Sequence, residues 1–204
     1  MRVLVACEFS GVVRDAFAAR GHDAWSCDLL PTESPGNHYQ GDVRIYLQAT
    51  ADQWDLLIAH PPCTYLSNSG VRHLHSIPSR NGVVAKVHGA ARWQAMREGA
   101  EFFRDLLNAP IPRIAVENPI PHRYAVAEIG RKYDQIIQPW QYGHGEVKKT
   151  CLWLSNLPPL EPTDIVEGRY PRSHLMGPSK NRAKKRSVTY TGIAAAMADQ
   201  WGSL

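Results

Sequence analysis

The sequence predicts an α/β fold, a mainly parallel sheet with helices on both faces. Three observations predict it. Short apolar runs of strand length alternate with segments of helical spacing through the N-terminal half. Residues 55–59, Asp-Leu-Leu-Ile-Ala, read as a buried strand. Asp28, Cys63 and Glu117 each stand just past an apolar run, and such folds bind ligands beyond the carboxyl ends of their strands.

The elements follow in order. Residues 2–7 form a first apolar strand. Residues 11–19 read as a helix, ended by Gly21, and residues 24–27 as a second strand before Asp28. Gly41-Asp42-Val43 opens a loop or short strand. After strand 55–59 comes Pro61-Pro62-Cys63, where the prolines fix the backbone and cannot continue a sheet, so the thiol is presented on a stiff turn. Residues 67–86 are polar, basic and glycine-containing, a candidate lid over that turn. Residues 87–107 carry a long helical pattern through Ala91, Met96, Ala100, Phe103 and Leu107. Strand 114–116 runs into Glu117-Asn118-Pro119, followed by a short helix over 121–129 and strands at 135–138 and 150–154. Residues 156–186 are proline-rich and basic with little periodicity, and 191–201 form a closing helix rich in alanine.

The chain has 204 residues, enough for one domain with a core of its own. No apolar run reaches membrane-spanning length, the N-terminus reads as a strand rather than a signal peptide, and a reducing cytoplasm is expected. Cys7, Cys27, Cys63 and Cys151 are widely spaced, with no Cys-x-x-Cys pair, which argues against a disulfide framework or a structural zinc site; no metal is expected. The net charge is only +4, but the excess is uneven. Lys180, Arg182, Lys184, Lys185 and Arg186 cluster in one stretch, and Arg72, Arg80 and Lys86 lie in another with three histidines and no acid. Such patches suit a polyanion, nucleic acid among them; a solvated loop is the plain alternative.

Two constellations carry chemistry. Cys7-Glu8-Phe9-Ser10-Gly11 joins a strand to a helix, where small residues let a ligand approach backbone amides; a tight structural turn is the alternative. Asp28 stands where an acid holds ribose hydroxyls, or caps a helix, and Asp42 is placed to meet an adenine amino group. No phosphate-loop lysine pattern is present, so together these residues suggest an adenosine-containing cofactor. The second constellation is Cys63 with Glu117, a nucleophile and acid pair at the ends of two strands. His60 is near Cys63 in sequence, which leaves a Cys-His hydrolase as a rival that does not explain the cofactor-like N-terminal half.

Taken in order, these motifs resemble those of the DNA cytosine-5 methyltransferases that use S-adenosylmethionine, over most of the chain. Phe9-Ser10-Gly11 resembles the first cofactor motif, Asp28 the ribose-binding acid, and Gly41-Asp42-Val43 the adenine-contacting motif. Pro61-Pro62-Cys63, with Ser67 following, is similar to the catalytic loop, and Glu117-Asn118 to the Glu-Asn pair. Tyr142-Gly143 with Lys148 resembles the later basic motif, and Arg186-Ser187-Val188 the closing motif of the cofactor pocket. The resemblance implies a Rossmann-like methyltransferase fold with a core over 1–155, a short basic recognition arm over 156–186, and a C-terminal helix over 187–204. It implies Cys63, Glu117, Asn118 and Lys148 as catalytic residues. It implies Glu8, Phe9, Ser10, Gly11, Asp28, Asp42, Pro61 and Ser187 as cofactor-binding residues. DNA would meet Arg72, Arg80, Lys86, Lys180, Lys184 and Lys185. Amino-directed relatives carry an aromatic residue where Cys63 stands, which favours attack on carbon.

The sequence also departs from that family. Val13 and Arg14 replace glycines of the cofactor turn, Cys7 aligns with its preceding acid, and Glu146, Lys148 and Thr150 stand where glutamine and two arginines are usual. Lysine does not reproduce the arginine fork. Residues 156–186 are short for a recognition domain, which implies relaxed recognition or a partner protein or second copy that supplies it; a compact chain of this kind suits a bacteriophage. Modification of a free cytosine nucleotide, transfer of a different group from a modified cofactor, and a non-catalytic DNA-binding protein on the same fold remain open.

Overall fold

The computed structural model describes residues 1–75, 87–177, 179 and 182–204. Its centre is a seven-stranded sheet in the order β3-β2-β1-β4-β5-β7-β6. The strands are β1 (Arg2–Ala6), β2 (Asp23–Asp28), β3 (His38–Gln40), β4 (Leu56–Ala59), β5 (Arg113–Pro119), β6 (Gln135–Ile137) and β7 (Thr150–Ser155). All neighbours from β3 to β5 are parallel, while β7 runs antiparallel to both β5 and β6. A parallel sheet closed by one antiparallel strand in this order is the Rossmann-like methyltransferase fold.

The apolar runs are continuous because both sheet faces are covered. On β1, Val3 and Val5 face one core and Leu4 and Ala6 the other, all with no exposure; on β4, Leu56 and Ile58 oppose Leu57 and Ala59 in the same way. The first core is closed by α1 (Val12–Ala18) and α7 (Thr191–Trp201), through Phe17, Met197 and Trp201. The second lies under α2 (Val43–Thr50), α3 (Gly89–Leu107) and α4 (Arg123–Ile129), through Leu47, Met96, Phe103 and Ile129. Phe103 meets Trp153 of β7 edge to face, with ring centroids 4.8 Å apart.

The elements predicted from sequence are present, with helix starts two residues later at Gly89 and Arg123. One prediction is corrected. Gly41 and Asp42 are the short link from β3, and what Val43 opens is the helix α2 rather than a longer loop or a strand; the Asp42 carboxylate caps it by accepting the Arg44 amide at 2.9 Å. Within residues 67–86, the described part forms a 3-10 helix over Asn68–His75. Residues 156–186 begin docked on the core, where Leu160 is buried and exchanges two hydrogen bonds with the Gln135 side chain. They then form the short α5 (Arg172–Leu175) and α6 (Arg182–Ser187). Among the described residues no helix is long and apolar enough to cross a membrane.

Candidate active site

Strand order reverses between β1 and β4, since β1 is followed by β2 on one side and β4 lies on the other. Chain leaving the carboxyl ends of these strands splays apart and opens a crevice. There the Pro61-Pro62-Cys63 turn folds back, with the Cys63 carbonyl accepting the amides of Leu66 at 3.2 Å and Ser67 at 3.0 Å. Bonds from the far end of β5 hold the turn down. Asn118 Nδ2 donates to the Pro61 carbonyl at 3.1 Å, and the His122 amide donates to the Leu66 carbonyl at 3.0 Å. His122, only 2% exposed, donates from Nε2 to the Tyr65 carbonyl at 3.0 Å and accepts the Ala125 amide on Nδ1 at 3.0 Å, capping α4. Arg92 of α3 donates to the Thr64 carbonyl at 2.9 Å. The loop bearing Cys63 is thereby fixed from two sides.

The β4–β5 register, with Ala59 beside Val116, sets the next residues, His60 and Glu117, side by side. His60 Nδ1 lies 3.1 Å from Glu117 Oε2, and both side chains are largely buried. Cys63, His60, Glu117 and Lys148 line one pocket, together with Phe9 and Ser187. Burial pushes the Glu117 carboxyl up, but the His60 hydrogen bond and the positive charges of His60 and Lys148 outweigh it and leave the group below its ordinary value. For Cys63, burial and then the Glu117 charge raise the thiol, and its backbone hydrogen bond with the charges of Arg186 and Lys148 only partly offset them. Lys148 Nζ donates to the Arg186 carbonyl at 2.8 Å, so the lysine both lends charge to the pocket and anchors α6.

A second pocket adjoins the first, sharing Cys7 and Pro62. Asp28 and Asp42 line it, between Leu29, Val43 and Phe102. Asp28 takes the Leu30 amide on Oδ1 at 2.8 Å. Asp42 is held by Arg44 through its backbone amide and side chain, which lower its carboxyl. The predicted cofactor residues thus divide: Asp28 and Asp42 in this pocket, Glu8, Phe9, Ser10, Pro61 and Ser187 in the other.

Glu8 lines the first pocket and also holds the start of α1. It is 4% exposed, and its carboxylate accepts the amides of Val13 at 2.7 Å and Arg14 at 3.2 Å. The first turn of α1 is therefore satisfied by a protein carboxylate. Gly11 makes this possible at a φ of 77°, a left-handed conformation glycine adopts freely. Arg14, where a glycine was expected, is buried and reaches Ser26, Thr32 and the carbonyls of Ser34 and Pro35, tying the β2–β3 loop to the core.

Among the predicted DNA contacts, Arg80, Lys86 and Lys180 lie outside the described residues. Arg72 and Lys185 are exposed. Lys184 pairs with Glu33 and its ammonium lies 5.3 Å from the centre of the Phe9 ring, so it ties α6 to the wall of the first pocket. Sequence reasoning missed the roles of His60 as partner of Glu117, of His122, and of Arg14. A buried-strand reading with the correct register would have paired His60 with Glu117. Among the described residues no cluster of histidine, cysteine and acids is arranged to hold a metal ion.

Neither protein-family models nor curated proteins match the chain. Solved structures do. The chain is similar to a DNA modification methyltransferase encoded within an Escherichia coli prophage, at 12% identity and a TM-score of 0.47, covering 82% of this chain and 52% of that one. It is similar to the Dnmt2 methyltransferase of Schizosaccharomyces pombe at 15% identity and a TM-score of 0.44, over 76% of this chain and 48% of the other. It is also similar to the Entamoeba histolytica methyltransferase EhMeth at 13% identity and a TM-score of 0.46, over 89% and 61%. The chain thus spans between about half and three fifths of the length of these structures.

Proposed function

We propose that this protein transfers a methyl group from S-adenosylmethionine to carbon 5 of cytosine in DNA, through a covalent adduct between Cys63 and carbon 6. The observation that carries this reading is the placement of Cys63 and Glu117 in one pocket, directly joined to a second pocket lined by two carboxylates. That donor set fits an adenosine: Asp28 is placed to accept ribose hydroxyls, and Leu29, Val43 and Phe102 offer apolar walls for a ring. Bound there, S-adenosylmethionine supplies an electrophilic methyl carbon on a sulfonium.

The chain's residues account for the rest. Carbon 5 of cytosine is a poor nucleophile. Addition of the Cys63 thiolate to carbon 6 makes carbon 5 enamine-like, the state that accepts an electrophile. Glu117 meets ring nitrogen 3 and the exocyclic amine, and offsets the charge that develops on the ring. Asn118 holds the Pro61 carbonyl and so keeps the thiol aimed, while Lys148 favours both anionic groups. A base inside a duplex must be flipped out to reach this pocket. Arg72 and Lys185 are exposed cations suited to the phosphates around it. The arm over 156–186 serves recognition only through short contacts, so a partner protein or second copy completes it.

Labelled S-adenosylmethionine incubated with cytosine-containing DNA or with dCMP tests the reading. Label on carbon 5 of DNA cytosine is the expected result. Label only in dCMP, or on the exocyclic amine, contradicts it.

A further inference from the structure

His60 stands where it does for a reason that structure alone does not require. It is the residue before the double proline, its side chain is 8% exposed, and it lines the same pocket as Cys63 and Glu117. Its Nδ1 meets Glu117 Oε2 at 3.1 Å. Its other ring nitrogen, Nε2, is buried with no hydrogen-bond partner among the described residues. A buried polar nitrogen left unpaired is costly, and its retention calls for an explanation.

We infer that His60 is a positioning residue that stores the proton Glu117 passes to ring nitrogen 3 of the cytosine, an inference that rests on the reading above. An ionised Glu117 accepts hydrogen bonds from the exocyclic amine but has no proton for ring nitrogen 3. The imidazolium supplies it. As the Cys63 sulfur bonds to carbon 6, the electron pair of the 5,6 double bond shifts to carbon 5 and through carbon 4 toward nitrogen 3. Nitrogen 3 takes a proton from Glu117, and Glu117 takes one from His60 Nδ1, which is left a neutral imidazole. Once carbon 5 has taken the methyl group, water removes the carbon 5 proton, the 5,6 double bond re-forms as the bond from carbon 6 to sulfur breaks, and nitrogen 3 returns its proton through Glu117 to His60. The methyl group comes from S-adenosylmethionine, and water carries the carbon 5 proton away. Among the described residues Nε2 has no partner, so the charge of the imidazolium rests on the Glu117 carboxylate at Nδ1.

The groups facing the pair are consistent with this. Lys148, before β7, adds its charge to that of His60 in favouring the Glu117 carboxylate. Cys63 on the turn and Cys151 on β7 both feel the Glu117 charge, and Arg186 of α6 acts on Cys63. The remaining carboxylate lining the pocket, Glu8, is taken by the amides of α1.

Release of tritium from carbon 5 of labelled cytosine in DNA reads adduct formation, and a pH series from 6 to 9 reads the proton. In the wild type, release should follow a bell-shaped profile. His60→Gln keeps a donor toward Glu117 but carries no proton. It should slow release by roughly 100-fold and remove the alkaline limb. Release at the wild-type rate with an unchanged profile overturns the inference while leaving the proposed reaction intact. A wild type that releases no tritium from any cytosine substrate overturns the reaction, and the inference with it. Nitrogen-15 NMR of the His60 ring in the wild-type protein provides a measure that needs no variant to fold. A ring that loses one proton on binding DNA containing 5-fluorocytosine supports the inference. A ring singly protonated in the free protein overturns it.

Discussion

Cys63 is a thiol held beside a carboxylate, and at rest its surroundings work against its ionisation. Because burial and the Glu117 charge raise it, the thiolate fraction should be small at neutral pH and grow as pH rises. Iodoacetamide labelling followed by mass spectrometry should therefore modify Cys63 slowly at pH 7 and faster toward pH 9. It should still label Cys63 ahead of Cys27 and Cys151, whose thiols are pushed up to about 12. Glu117→Gln removes the nearest negative charge and should speed the reaction at a fixed pH; an unchanged or slower rate contradicts the electrostatic account. At the other pocket, Asp28→Ala should weaken S-adenosylmethionine binding by about 1–3 kcal/mol, roughly 5- to 150-fold, measured by calorimetry. Cys63 and Glu117 were legible in the sequence because each follows an apolar run. The partnership of Glu117 with His60 was not, since it depends on strand register. The inward turn of Glu8 was equally hidden, because sequence does not say whether a helix N-terminus faces a ligand or its own carboxylate.

At the scale of elements, the turn bearing Cys63 depends on what straps it to the end of β5. The His122 side chain bonds the Tyr65 carbonyl of that turn and caps α4 by accepting the Ala125 amide, so His122→Ala should cost about 2–3 kcal/mol in urea unfolding and loosen the loop. Burial lowers the His122 imidazole from its ordinary 6.5, against its hydrogen bond to Tyr65, so the unfolded chain binds the extra proton first. The sign follows: His122 adds stability above about pH 6.5, and that contribution is lost as pH falls toward the folded value. Wild-type stability should fall more steeply between pH 7 and pH 5 than that of His122→Asn; equal slopes contradict the assignment. The same scale explains what was legible in the fold. β1 and β4 are covered on both faces and announce themselves as apolar runs. β3 has three residues at the sheet edge, and the buried face of α2 is only Val43 and Leu47, so neither carries enough periodicity to be read. The capping carboxylate of Asp42 was the available signal for α2.

Across the whole molecule, the two pockets join at the point where strand order reverses, and α6, from the far end of the chain, lines the first of them through Arg186 and Ser187. Lys184 with Glu33, and Lys148 with the Arg186 carbonyl, hold that helix in place. Both partners of the Lys184–Glu33 pair are about half exposed, so Glu33→Gln should cost no more than about 1 kcal/mol. It should show mainly as faster proteolysis near residues 182–187, and unchanged cleavage contradicts the contact. Cys63 and Glu117 share one pocket, and the central proposal is that this pair attacks carbon 6 of a cytosine. Incubation with DNA containing 5-fluorocytosine and S-adenosylmethionine tests it most directly, because fluorine at carbon 5 leaves no proton to lose and the adduct does not resolve. The account predicts a stable protein–DNA species whose cross-linked peptide contains Cys63, absent from Cys63→Ser. Methylated product without a cross-link, or a cross-link through another residue, would contradict it.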